Sequence, residues 1–152
     1  MVHALPGAPG ALLSDGVDTQ RCTAVSRYGL DVETWIDGGR IVVEIGGELD
    51  AYSAGVLREE LARIAAPRPL RIAVVMAAVT FIDSAGIGVL VGAVKRARAT
   101  GGGVALVGCS GRVESILRRM GLHRVFGLCG GLEEAFAWLD EEASGDRRGP
   151  AA

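Results

Sequence analysis

The chain has 152 residues, enough for one domain with extensions. Apolar residues make up 49% and charged residues 22%, as in a globular protein with a real core, while a formal net charge of -2 offers nucleic acid no cationic surface to bind. Three cysteines, Cys22, Cys109 and Cys129, stand in no CxxC spacing and in no ligand spacing with His3 or His123, which argues against a disulfide framework and against a zinc site.

In chain order, residues 1–27 contain Pro6, Pro9 and several glycines without a clear period. They are expected to form a flexible extension, and they lack the basic start and apolar core of a secretory signal. The folded unit is expected over 28–143, with a disordered tail over 144–152. Leu30–Ile36 alternates and reads as a strand, Asp37-Gly38-Gly39 as a hairpin turn, and Ile41–Ile45 as the second, antiparallel strand. Gly46-Gly47-Glu48-Leu49-Asp50 is expected to leave the sheet. Ser53–Ala66 carries a helical stripe of Ala54, Leu57, Leu61, Ile64 and Ala65, stopped by Pro67 and Pro69. Leu70–Met76 is nearly all apolar, like a strand covered on both faces.

A long helix follows Ser84, with Ile87, Leu90, Val91, Val94 and Ala97 inward and Lys95, Arg96 and Arg98 toward its negative end. Next come a short strand at Val104–Val107, a helix at Ser110–Met120 with Gly121 as its C′ residue, an edge strand at Arg124–Leu128 and a last helix at Leu132–Leu139. The order ββαβαβαβα implies an α/β fold with a mixed sheet, about four helices and right-handed crossovers. The apolar run over Ile72–Val94 is interrupted by Asp83, Ser84 and glycines, so it does not read as a membrane span, and a cytoplasmic location is the default.

The loop Asp83-Ser84-Ala85-Gly86 places a hydroxyl at or beside the head of the long helix, where unsatisfied N–H groups and the positive dipole end face outward. A phosphate there would add about -1.5 to -2 charges, which a helix terminus tolerates and a partner surface shaped for a neutral hydroxyl does not. Taken on the residues alone, the plainer role for Ser84 is a helix cap.

Val79–Leu90 (VTFIDSAGIGVL), the segments Gly101–Val107 and Met120–Phe126, and upstream Gly47-Glu48-Leu49-Asp50 with Ser53-Ala54, together resemble the STAS domain of the anti-sigma factor antagonist family, over roughly Val32–Leu139. The resemblance implies a non-enzymatic, phosphorylation-controlled partner switch with no catalytic residues and no cofactor or metal. Ser84 would be the phosphoacceptor. The partners would be an anti-sigma factor that is itself a serine kinase, bound while Ser84 is unphosphorylated so that a sigma factor is released, and a phosphatase that resets the system. Asp50 resembles the family position beside the serine, and reads equally well as a helix-capping carboxylate. Asp50, Asp83, Ala85, Gly86 and Ile87 are expected to form the partner-facing patch. One departure is Val75, which stands where the family usually has Asp or Asn.

Three rival readings remain. A nucleophilic Ser84 would need a base, and His123 is the one histidine inside the domain. A nucleotide site at Gly86-Ile87-Gly88 or Gly101–Gly103 lacks the spacing of a phosphate-binding loop. A non-switching STAS scaffold subunit of a transport or stress-signalling complex would keep the fold and lack the switch.

Overall fold

The structure, a computed structural model, describes residues 19–64, 66 and 68–145. In chain order it has β1 (Thr19–Arg27), β2 (Leu30–Asp37), β3 (Arg40–Leu49), α1 (Ala54–Arg63), β4 (Arg71–Ile82), α2 (Ser84–Ala99), β5 (Gly103–Val107), α3 (Gly111–Arg119), a 3-10 turn (Leu122–Arg124), β6 (Gly127–Cys129) and α4 (Leu132–Ser144). One six-stranded sheet has the order β1-β2-β3-β4-β5-β6; the first three strands run antiparallel and β3 to β6 run parallel. The α/β class and the alternation after the hairpin therefore hold. Among the described residues no helix is long and apolar enough to cross a membrane.

Three expectations need correction. The segment Thr19–Arg27, expected to belong to the extension, is a strand paired along β2 from Thr19↔Asp37 to Arg27↔Leu30, so the order begins with three strands. Its sequence is polar and aperiodic, and the backbone ladder of a neighbouring strand orders it where its own pattern does not. Residues 1–18 and 146–152, the rest of the expected extension and tail, lie outside the described residues. Next, β3 and β4 do not stop at Ile45 and Met76; they pair in parallel out to Leu49↔Ile82, through two register irregularities. Finally, the edge strand expected at Arg124–Leu128 is a 3-10 turn over Leu122–Arg124 followed by β6. The turn at Gly38 and Gly39 is as expected, both with positive φ, which the tight β2–β3 connection requires.

Helices α1, α2 and α3 cover one face of the sheet. Leu57 and Leu61 of α1, Leu90 and Val94 of α2 and Val113 and Leu117 of α3 pack there on Ile41, Val43, Ile45, Val74 and Leu106. On the other face, alone among the described helices, α4 sets Ala135 and Leu139 on Ala73, Ala105, Val107 and Cys129. A Cβ at Gly127 would stand 2.5 Å from the Trp138 ring, so glycine is what lets α4 lie this close to β6. Asp140 locks the helix to the sheet: it accepts from Arg40 Nη2 at 2.6 Å and from Arg71 Nη1 at 2.7 Å, while the Arg40 guanidinium lies 4.6 Å from the Phe136 ring centroid. The Arg40 hydrogen bond holds the Asp140 carboxyl below the usual carboxylate range.

Glu44 is buried in the middle of β3, directly opposite Glu33 of β2. Burial, and then the facing carboxylate, push its carboxyl up to about 7. With the folded value above the unfolded one, the native state holds more protons between pH 4.5 and 7, so stability is greatest below the unfolded value and falls as pH rises through 7. The melting temperature is expected to drop between pH 5 and pH 8. Glu44→Gln should flatten that slope, and an unchanged slope in the variant would show that Glu44 does not titrate in this range.

Candidate functional site

The parallel strands all end at one edge of the sheet, and the candidate loops gather there: Leu49–Ser53 after β3 and Asp83–Gly86 after β4. Asp83, not Ser84, caps α2. Its Oδ1 accepts from the backbone N–H of Ala85 at 2.9 Å and of Gly86 at 3.1 Å. Its Oδ2 reaches the other loop and accepts from the N–H of Ala51 at 3.1 Å. The backbone adds a third tie, Asp83 N–H donating to Leu49 C=O at 3.2 Å. One carboxylate therefore neutralises two donors of the helix start and fastens it to a loop 32 residues away in sequence.

Asp50 does a related job within its own loop. Its Oδ1 accepts from the N–H of Tyr52 at 2.9 Å and of Ser53 at 3.0 Å. The buried Ser53 hydroxyl donates to Glu48 C=O at 2.6 Å and accepts from Asp50 N–H at 3.0 Å. Asp50 thus braces the turn that leads into α1, whose N-cap position is Ser53, and its side chain accepts from no N–H of the helix itself.

Ser84 is the first residue of α2 and is exposed. Among the described residues its hydroxyl makes no hydrogen bond, since Asp83 already serves the cap. The hydroxyl stands free at the positive end of a 16-residue helix that has no acidic residue in its first turn. Ala85 is half-buried, whereas Gly86 and Ile87 are buried. A Cβ at Gly86 would lie 2.6 Å from Leu49 Cγ and 2.7 Å from Leu49 O, so this glycine lets α2 pack on the end of β3. The expectation that Gly86 and Ile87 offer surface to a partner is corrected accordingly: both turn inward, and Gly88, with open space above it, is the exposed glycine of that turn.

Two exposed aromatics missed in the sequence stand on the segments at this edge. Tyr52, 81% exposed, projects from the loop that Asp50 and Asp83 hold; Phe81, 46% exposed, lies three residues before Ser84 near the end of β4. The available signal was composition: with aromatics at 5% of the chain, a tyrosine in a turn between Asp50 and Ser53 is not spent on the core.

The rival chemistries lose their geometry. His123 lies in the 3-10 turn and lines a cavity of about 450 Å³ with Arg118, Trp138 and Glu134, none of them from the Ser84 loop. In the glycine run, Gly103 donates to Leu70 C=O at 3.0 Å, and a side chain at Gly102 would collide with the Leu70 backbone, so these glycines seat the turn between α2 and β5. Val75, the departure from the family pattern, packs beneath α4 with Leu132, Phe136 and Trp138, seven residues short of Ile82.

Comparison with known proteins agrees with this layout. The profile of the STAS domain matches residues 31–135. Over 85 residues the chain is 36% identical to the anti-sigma-B factor antagonist of Bacillus subtilis (strain 168), covering 56% of this chain and 77% of that protein. Among solved structures, an anti-sigma factor antagonist from Mycobacterium paratuberculosis superposes with a TM-score of 0.65 at 20% identity, covering 76% of this chain and 97% of the other. The Bacillus cell fate determinant SpoIIAA, an anti-sigma factor antagonist, shares the fold in two states. Its unphosphorylated form gives a TM-score of 0.56 at 19% identity, over 78% of this chain and 95% of that one; its phosphorylated form gives 0.52 at 18%, over 76% and 96%.

Proposed function

The chain belongs to the STAS domain family, and from that premise we propose that it acts as an anti-sigma factor antagonist whose partner is chosen by phosphorylation of Ser84. With Ser84 unmodified it binds an anti-sigma factor, which is also the serine kinase, and a sigma factor is set free. With Ser84 phosphorylated it lets the anti-sigma factor go, and a phosphatase restores the first state. The chain itself carries no catalytic role.

The observation that supports this reading is the division of labour between Asp83 and Ser84. A capping serine would have its hydroxyl engaged with the helix N–H groups and less available to a kinase. Here the cap is Asp83, so the serine is free for chemistry. A dianion on it would sit beside the helix dipole, which favours negative charge, and would leave the scaffold in place. The same charge would press into any partner surface docked over the loop. There it would be desolvated, with the carboxylate of the adjoining residue Asp83 adding to the negative charge.

Incubating the full chain and Ser84→Ala with the anti-sigma-type serine kinases of the same genome tests this. One phosphate should appear on the wild type, map to the peptide containing Ser84, and be absent from the variant. No modification by any of them, or modification elsewhere, would refute the switch.

Tyr52 and Phe81 are the large exposed side chains at this edge, of the type that anchors protein interfaces. Tyr52→Ala and Phe81→Ala should each weaken anti-sigma factor binding by roughly ten-fold, about 1.4 kcal/mol, with melting temperatures close to wild type. Titration calorimetry would show it, and unchanged affinity in both would move the interface away from this edge.

A further inference from the structure

β4 is longer than the neighbour on its outer side. Its pairing with β5 covers Arg71 to Val75 and stops at Val75↔Val107, whereas β4 continues to Ile82 with β3 on its inner side alone. Beyond Val75, no described strand pairs with the outer edge of β4. Unpaired strand edges are usually blunted by a charge or a proline. The overhang Met76-Ala77-Ala78-Val79-Thr80-Phe81-Ile82 has neither, and Ala77, Thr80 and Phe81 are exposed.

Between the end of this overhang and the first turns of α3 lies a cavity of about 90 Å³, lined by Thr80, Phe81, Ile82, Arg112, Val113 and Ile116. Its floor is apolar, and its one charged member is Arg112. That arginine is exposed and makes no ion pair or hydrogen bond among the described residues. The only acidic residue on α3 is Glu114, which is already paired with Arg118 at 2.9 Å. Gly108 lies against Ala77, so the edge lacks a neighbouring strand and is open from residue 78 on; that edge, a small apolar recess and an unneutralised guanidinium lie side by side.

We propose that the outer edge of β4 over Ala78–Ile82 and the adjoining turns of α3 form a docking site for an extended segment of a partner protein. The segment adds as a further strand, places an apolar side chain in the recess, and sets a carboxylate beside Arg112. Main-chain hydrogen bonds supply affinity in such strand addition and the side-chain pocket supplies selectivity, while Arg112 makes the choice acidic through a two-pronged hydrogen bond. The site shares Phe81 with the surface proposed for the anti-sigma factor but runs from there along β4 to α3, and it does not require that Ser84 be modified.

Panning a random peptide library, about twelve residues long, on the immobilised full chain tests it. Enriched peptides should pair Asp or Glu with a large apolar residue and should shift the backbone amide resonances of 78–82. Fluorescence anisotropy should then show roughly ten-fold weaker binding to Thr80→Pro and to Arg112→Glu, with a Lys-for-acid peptide recovering affinity for Arg112→Glu. Thr80 is chosen because it is skipped in the β3 register, where Gly47 pairs with Val79 and Glu48 with Phe81, and a proline is tolerated at such an irregularity. Arg112→Glu, at an exposed position, keeps the test valid should Thr80→Pro fail to fold. Ser84→Ala should bind the peptides as the wild type does, which separates this site from the switch. No enrichment, amide shifts confined to other residues, or binding indifferent to Arg112→Glu would overturn the proposal.

Discussion

Ser84→Asp is expected to bind the anti-sigma factor about 2–5 kcal/mol more weakly than the wild type, roughly 30-fold to several thousand-fold, while its melting temperature stays nearly unchanged. The two halves of that result have one cause. In the free protein the new carboxylate stands at the first position of α2, exposed, where the helix dipole favours it by about 0.3–1 kcal/mol and the nearby Asp83 opposes it by a similar amount. In the complex the same charge is removed from water against a surface fitted to a hydroxyl. Ser84→Ala loses no hydrogen bond among the described residues and should keep affinity within about three-fold, locked in the binding state. Calorimetric titration of wild type, Ser84→Ala and Ser84→Asp against the anti-sigma kinase of the same genome decides the matter. Equal affinity for all three would end the charge argument.

The second large effect belongs to Asp83. Asp83→Ala leaves the N–H groups of Ala85, Gly86 and Ala51 without their acceptor. Loss of a helix cap costs about 0.5–2 kcal/mol, and the exposed Ala51 N–H turns to water at little further cost, so about 1–2 kcal/mol is expected in all. In a domain of this size that is a fall of roughly 4–8 °C in melting temperature. Asp83→Asn keeps one carboxamide oxygen for the α2 donors but turns an amide toward either Ala51 or the helix, so it should lose about half as much. Hydrogen exchange should quicken at Ala51, Ala85 and Gly86 together, since one side chain serves all three. Acceleration at Ala85 and Gly86 without Ala51 would show that the bond between the two loops carries no weight. Because Tyr52 stands next to Ala51, the alanine variant should also lose part of its anti-sigma factor affinity at temperatures where it remains folded.

Much of the site was legible because its signals are local. Ser84 follows an apolar strand and precedes a helical stripe, so its place at a helix head could be read within a dozen residues. The turn at Gly38-Gly39 and the stop at Gly121 were likewise set by residues that tolerate positive φ. The roles of Gly86 and Ile87 were not. Both stand beside Ser84 in sequence, yet a helix turns about 100° per residue, so two and three positions on they point at Leu49 and the core. Tyr52 was passed over for the converse reason: a lone aromatic between Asp50 and Ser53 gives no period to read.

Alternation, turn chemistry and helical spacing were thus enough to specify an α/β chain with a mixed sheet, four helices and a serine at the mouth of the longest one, since each depends on neighbours within a few positions. Pairing between distant segments set everything else. It made a strand of the polar stretch Thr19–Arg27, carried β4 seven residues past its last partner in β5, and let Asp83 take the cap so that the Ser84 hydroxyl makes no hydrogen bond among the described residues. Hydrogen bonds and packing that span tens of residues leave no periodic trace along the chain, and the free energy that fixes them is gained only when the whole sheet is assembled.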